Sequence, residues 1–184
     1  MRLLTVPGYT GASPGHWLSH LERDLRRAER VEQRDWNTVE REGWVRRISD
    51  AIEASDSPAI LIGHSCGAVA CAQFLASASP TQVIGAVLVA PPDVEDKGAL
   101  PAIQPQAPLP AGTLSVPTHM IVSDNDPHLS LDRAAVLADT WGCSLETVER
   151  GGHLATADGY GRWPYIHSLL GRLSTSPTSI GENR

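Results

Sequence analysis

Two short runs, AILI at 59–62 and VIGAVLVA at 83–90, carry no polar side chain at any position. A strand with one wet face alternates apolar with polar residues. A run without that alternation has both faces covered, which is the condition of a parallel sheet sandwiched between helices. The flanking segments supply the alternation of strand with helix that such a sheet requires. Residues 2–6 (RLLTV) form an apolar run that stops at Pro7-Gly8, and Leu18, Leu21 and Leu25 then recur at helical spacing among charges. A weaker strand is expected at 31–35. Asn37 followed by Glu40 reads as a capping box for a helix whose apolar face carries Trp44, Ile48 and Ile52. Strands at 118–123 and 144–149 flank a helix capped by Ser130, with Leu131, Ala134, Leu137, Ala138 and Trp141 on it and Gly142 as its stop. Ile166, Leu169, Leu170 and Leu173 mark a final helix. Six strands alternating with helices predict an α/β fold, a three-layer α/β/α sandwich on an open, mostly parallel sheet. One domain over residues 1–173 is expected, followed by a polar, flexible tail at 174–184.

Composition narrows the partners. With 21 acidic and 15 basic side chains, a formal charge of -6 and no basic run, the chain is not built for nucleic acid or an anionic membrane. No stretch approaches the roughly 20 apolar residues of a membrane span. The start, MRLLTVPGYTG, is too short an apolar run for a signal-peptide core. Cys66, Cys71 and Cys143 are odd in number and lack C-x-x-C spacing, which argues against a disulfide framework or zinc cluster and makes the reducing cytoplasm the expected location. The one biased stretch, with seven prolines in residues 91–117, is expected to be an ordered surface loop.

In sheets of this kind functional groups gather beyond the carboxyl ends of the strands. There, after 59–62, stands Gly63-His64-Ser65-Cys66-Gly67, a G-x-S-x-G, followed by the apolar helical segment Ala68, Val69, Ala72 and Leu75. The bare motif is weak, but strand, motif and helix together are the setting of a nucleophile elbow, a strained turn that lifts a serine oxygen above the sheet. A serine hydroxyl needs a base to take its proton, usually a histidine held by a carboxylate, and in this setting the chain order is Ser, acid, His. Ser123-Asp124-Asn125-Asp126-Pro127 follows one later strand, and Arg150-Gly151-Gly152-His153 follows the last. His153 is therefore the candidate base. Pattern alone does not choose between Asp124 and Asp126, although Pro127 favours an extended, direction-fixing backbone at Asp126. The oxyanion of an acyl transfer needs preorganised N–H donors. The Cys66 amide is one, and the loop after the first strand supplies the other, Tyr9 ahead of Thr10.

Other residues carry less. His16 and His20 lie four apart, but HWLSH lacks the glutamate of a zinc-protease motif and no third ligand is near, so no metal is expected. His64 is expected to pack under the turn. Cys66 is directed away from the reaction site if the elbow presents Ser65. PGYTG matches neither G-x-G-x-x-G nor a Walker pattern, so no nucleotide cofactor is expected.

The chain resembles the small single-domain serine hydrolases related to the retinoblastoma-binding serine hydrolase and its bacterial relatives. The resemblance rests on VPGYTGASPGHW, LIGHSCGA, VAPPDVED, VSDNDP and GGHLATADGYGRWP, spread over about residues 2–173. It implies a minimal α/β-hydrolase fold without a lid domain, with Ser65, Asp126 and His153 as the catalytic triad, so it selects Asp126 over Asp124. His16 and Trp17 match the family's HW pair, which implies a substrate-binding place at the rim of the site. The retinoblastoma-type partner does not carry over, because Trp141-Gly142-Cys143-Ser144-Leu145 does not fit an L-x-C-x-E peptide and neither Cys66 nor Cys71 supplies one.

The expected activity is that of a carboxylesterase-like serine hydrolase working through an acyl-enzyme, without metal or organic cofactor. Only the short 91–117 segment stands where larger relatives carry a lid, so an open pocket for small acyl esters is expected over one for long lipids. An amidase or peptidase with the same three residues, and a non-catalytic protein-binding module on the same fold, are the alternatives.

Overall fold

The computed structural model describes residues 1–175. Strands β1 (Arg2–Val6), β2 (Ala28–Arg30), β3 (Ala59–His64), β4 (Val83–Val89), β5 (Thr118–Ser123) and β6 (Ser144–Val148) form one sheet. Their order is β2-β1-β3-β4-β5-β6, and every neighbouring pair is parallel. The helices are α1 (Trp17–Asp24), α2 (Arg41–Glu53), α3 (Cys66–Ser77), α4 (Leu131–Trp141) and α5 (Pro164–Thr175). From β1 the chain winds outward to the β2 edge, then returns past β1 and winds the other way. The reversal falls between β1 and β3, and a crevice opens there between loops that leave in opposite directions.

Alternation along the strands divides the interior in two. Leu3, Ile60, Ile62, Val87, Val89 and Ile121 pack with Trp17, Leu18 and Leu21 of α1 and Ile166, Leu169 and Leu170 of α5. Leu4, Val6, Leu61, Leu88, Met120 and Val122 face the other way, against α2, α3 and α4. Both faces of β3 are buried, as its uninterrupted apolar run required. Helix α3 is buried at every position from Cys66 to Leu75, so it lies in the middle of its layer directly behind the turn that precedes it.

Several boundaries differ from the sequence reading. β2 lies at Ala28–Arg30 rather than 31–35. It is a three-residue edge strand on β1, with Ala28 its one apolar side chain beside the polar Glu29 and Arg30, and apolar patterning therefore gives it no signal. Val31 donates its N–H to the Thr5 carbonyl and is buried as the chain leaves the sheet. Helix α2 is capped by Glu40 alone, whose carboxylate accepts from the amides of Glu42 and Gly43, while Asn37 donates its amide to Asp35 in the preceding turn. β4 stops one residue early, at Val89, where Ala90 turns to φ 48°. β6 likewise stops at Val148, one residue short of the expected 149. Helix α4 is bounded as read, by Ser130 accepting from the Arg133 amide and by Gly142 at φ 67°. Helix α5 continues to Thr175, past the expected boundary at 173, and the rest of the expected tail lies outside the described residues.

The proline-rich segment is more than a surface loop. Val94, Ile103, Leu109 and Leu114 are buried in the α3 layer, and the 3₁₀ turn Gln104–Gln106 places Gln106 wholly inside. Its Nε2 donates to the Cys66 carbonyl at 2.7 Å, which fastens the segment to the first turn of α3.

Candidate active site

Ser65 joins β3 to α3 at φ 56° and ψ -129°, a conformation that costs a non-glycine residue of order 1–3 kcal/mol. Its amide donates to the Val89 carbonyl at 2.9 Å, which ties the turn to β4. The turn is possible because Gly67 has no side chain: a Cβ there would stand 1.9 Å from the Val6 carbonyl oxygen. Gly8 is needed for a second close approach, since its Cβ would lie 2.7 Å from the Cβ of Ser65. The loop after β1 thus rests directly on the serine.

Three side chains from three strand ends converge. Ser65 Oγ is 2.9 Å from His153 Nε2, and His153 Nδ1 is 3.0 and 2.9 Å from the two carboxylate oxygens of Asp126. A carboxylate only accepts, so Nδ1 carries the ring proton, and Nε2 is left bare to accept from the Ser65 hydroxyl. The Asp126 side chain is fully buried and its Oδ1 also accepts the His128 amide at 2.9 Å. Asp124 points elsewhere and accepts the Arg150 amide at 2.6 Å. The arrangement allows a hydroxyl to pass its proton to an imidazole as it attacks, with a carboxylate holding the ring's tautomer.

The amide positions also separate. The Thr10 amide is committed to the Trp36 carbonyl at 2.9 Å. Hydrogen bonding from the Tyr9 amide, the Ser65 hydroxyl and the Cys66 amide favours the Cys66 thiolate. Burial pushes the Cys66 thiol up to about 11, against these donors, so it stays protonated at neutral pH. Burial also raises Cys71, and pushes Cys143 up to about 12.

The cleft over Ser65 has a volume of about 370 Å³ and is lined by Gly8 to Ser13, by Ala155 to Ala157 and by His16, His64 and His153, so that Tyr9 and the imidazoles are its large side chains. Among the described residues, no Asp, Glu, Lys or Arg lines it. The imidazoles form a row, with centroids 4.8 Å apart from His16 to His64, 5.1 Å from His64 to His153 and 4.8 Å from His153 to His128. His16 is lowered to about 4 by burial, with Arg30 and His153 adding to it. His64 is held well below its ordinary value by burial and then by His153 and His16. Burial, then His153, also lowers His128, against the opposing Asp126 charge. His16 lines the cleft, and caps α1 by accepting the Leu18 amide on Nδ1. Trp17 does not reach the rim. It is 1% exposed, in the core between sheet and α1, where its indole N–H donates to the Leu154 carbonyl at 3.0 Å.

Sequence reasoning overlooked the supports beneath these groups. His64 donates from Nε2 to the His153 carbonyl at 2.9 Å, and Asp158 accepts the His153 amide at 3.1 Å. The Gln106 contact to the elbow was equally hidden. A glutamine in a proline-rich stretch carries no periodic signal.

A parallel α/β sheet with a serine on a strained strand-to-helix turn, backed by imidazole and carboxylate from later strand ends, defines the α/β-hydrolase class. The chain belongs to the serine hydrolase family, whose profile matches residues 3–172. The structure is similar to that of a protein described as a YdeN-like hydrolase from Pectobacterium atrosepticum, at TM-score 0.85 and 32% identity over 94% of this chain and 90% of that one. The ydeN gene product of Bacillus subtilis superposes at TM-score 0.76, with 21% identity over 95% and 99% of the two chains. The carboxylesterase CesB of B. subtilis shares the fold at TM-score 0.64, with 17% identity over 95% and 83%. No curated protein matches the chain.

Proposed function

We propose that this serine hydrolase is a carboxylesterase acting on small, uncharged acyl esters. Ser65 is the nucleophile, His153 the general base and acid, and Asp126 the group that holds His153 and stabilises its protonated form. The observation that carries this reading is the pair of short contacts at His153, 2.9 Å to Ser65 Oγ and 2.9 Å to Asp126 Oδ2, at the floor of the cleft.

Ser65 Oγ attacks the ester carbonyl carbon as its proton passes to His153 Nε2. The carbonyl oxygen becomes an oxyanion and is received by the amides of Tyr9 and Cys66, next to the positive end of α3. The tetrahedral species collapses, the alcohol leaves with the proton from Nε2, and the acyl group stays on Ser65. Water then repeats the sequence and frees the acid. These steps need no metal or organic cofactor.

The lining supports this substrate class. Apart from Tyr9 and the histidines the cleft is lined by short side chains, which supports a small acyl group over a long one, and among the described residues its lining offers no counter-ion for an acid or amine. No nucleic-acid, membrane or retinoblastoma-type partner enters this reading. A cytoplasmic location agrees with three free thiols, and no helix among the described residues is long and apolar enough to cross a membrane.

Hydrolysis of a p-nitrophenyl ester series, with Ser65→Ala as the blank, tests the proposal. C2–C4 esters turning over faster than C12–C16 esters is the expected result. A preference for the long chains refutes the small-substrate reading, and turnover unchanged in Ser65→Ala refutes the mechanism.

A further inference from the structure

The β5–β6 ladder ends at the pair Ser123 and Val148, with one more main-chain bond from the Asp124 amide to the Val148 carbonyl. Beyond it the two loops stay joined by side chains. Arg150 donates its amide to Asp124 Oδ1 at 2.6 Å, Gly151 to Ser123 Oγ at 2.8 Å, and Gly152 to Asn125 Oδ1 at 2.7 Å. His153 then meets Asp126 through its ring. Ser123 also donates its hydroxyl to Asn125 Oδ1 at 2.7 Å, which links two of the acceptors. Four consecutive residues of one loop are thus matched by four consecutive residues of the other.

The loop held in this way is strained. Arg150, Gly152 and Leu154 have φ of 52°, 58° and 53° within five residues. Positive φ at Arg and Leu persists only when surrounding contacts over-determine it. The bonds from Asp124, Ser123 and Asn125 fall on the first part of this turn, and His64 and Trp17 hold the carbonyls of His153 and Leu154 on the far side. Without the first set the turn would relax, and the imidazole at its end would leave its place between Ser65 and Asp126.

We propose that Ser123, Asp124 and Asn125 are positioning residues that set the His153 ring by clamping residues 150–152. The proposal rests on reading His153 as the base and assigns a task to three residues that pattern alone reads as turn formers.

Asn125 is exposed and is the member to vary without opening the core. Asn125→Ala removes the acceptor, whereas Asn125→Asp keeps an oxygen in place. Full-length variants are compared for kcat and KM on a short acyl ester, and for the NMR resonance of the His153 Nδ1 proton. In Asn125→Ala, kcat should fall roughly 10- to 100-fold with KM within about twofold, because misplacing a catalytic group costs transition-state and not ground-state stabilisation. The Nδ1 proton resonance should be lost to exchange, and Asn125→Asp should restore both. Unchanged kcat and resonance in Asn125→Ala overturn the proposal, as does Asn125→Asp failing to restore them. If the native protein shows no Ser65-dependent turnover, the hydrolase reading fails, and the proton resonance still tests the clamp.

Discussion

His64 donates from Nε2 to the main-chain carbonyl of His153, 2.9 Å away across 89 residues of chain. His64 immediately precedes Ser65, so the turn that presents the serine also holds the loop that carries the imidazole. The two cannot drift apart independently. His64→Ala leaves that carbonyl without its partner and opens a void beneath the elbow. It should destabilise the fold by about 1–3 kcal/mol, read from urea unfolding, and lower kcat more than it raises KM.

His16 and His64 are buried as neutral rings, His16 lowered to about 4 and His64 well below its ordinary 6.5. A ring whose value is depressed by folding binds fewer protons folded than unfolded. Its stabilising contribution is therefore complete above pH 6.5 and declines as pH falls below it. For His16 the decline runs from about pH 6.5 to about 4 and amounts to roughly 3 kcal/mol. Urea unfolding at pH 7.5 and 4.5 should show this loss, and His16→Asn, which keeps a helix-capping acceptor, should show less of it.

Asp126 and Asp124 are two residues apart but hold different atoms, the His153 ring and the Arg150 amide. Asp126→Asn should lower kcat by about 10⁴, since an amide facing Nδ1 can favour the wrong tautomer. Asp124→Asn keeps an oxygen for Arg150 and should cost less than about tenfold. Steady-state kinetics of the two variants decide it, and the reverse order would transfer the acid's role to Asp124.

Gly67 approaches the β1 backbone so closely that an added Cβ would lie 1.9 Å from the Val6 oxygen and 2.5 Å from that of Pro7. Backbone cannot yield as a flexible side chain does. Gly67→Ala should cost about 3 kcal/mol or more, visible as a depressed Tm. Gly171→Ala in α5, where the added methyl meets nothing within 4 Å, should instead gain roughly 0.5–1 kcal/mol.

What the sequence made legible follows the strictness of each physical demand. The runs at 59–62 and 83–90 announced a covered parallel sheet because strands apolar on both faces alternate here with helices that cover them. Ser130 and Gly142 bounded α4 because capping and positive φ admit few residue types. Gly63-His64-Ser65-Cys66-Gly67 stood out because only glycine survives the backbone contacts at 63 and 67. β2 was misplaced because a three-residue edge strand with a single apolar side chain, Ala28, has no period to read. The Trp17 prediction failed because a shared motif gives a residue's place in the chain and not the direction of its side chain. Ser123, Asp124 and Asn125 look like ordinary turn residues until the β5–β6 register brings them opposite residues 150–152.

The proposed role of Ser65 as nucleophile is tested most directly by treating the folded protein with a fluorophosphonate and locating the adduct by peptide mass spectrometry. A single adduct on Ser65, lost in Ser65→Ala, is the expected result. No adduct on folded protein, or one carried by Cys66 in place of Ser65, would contradict it.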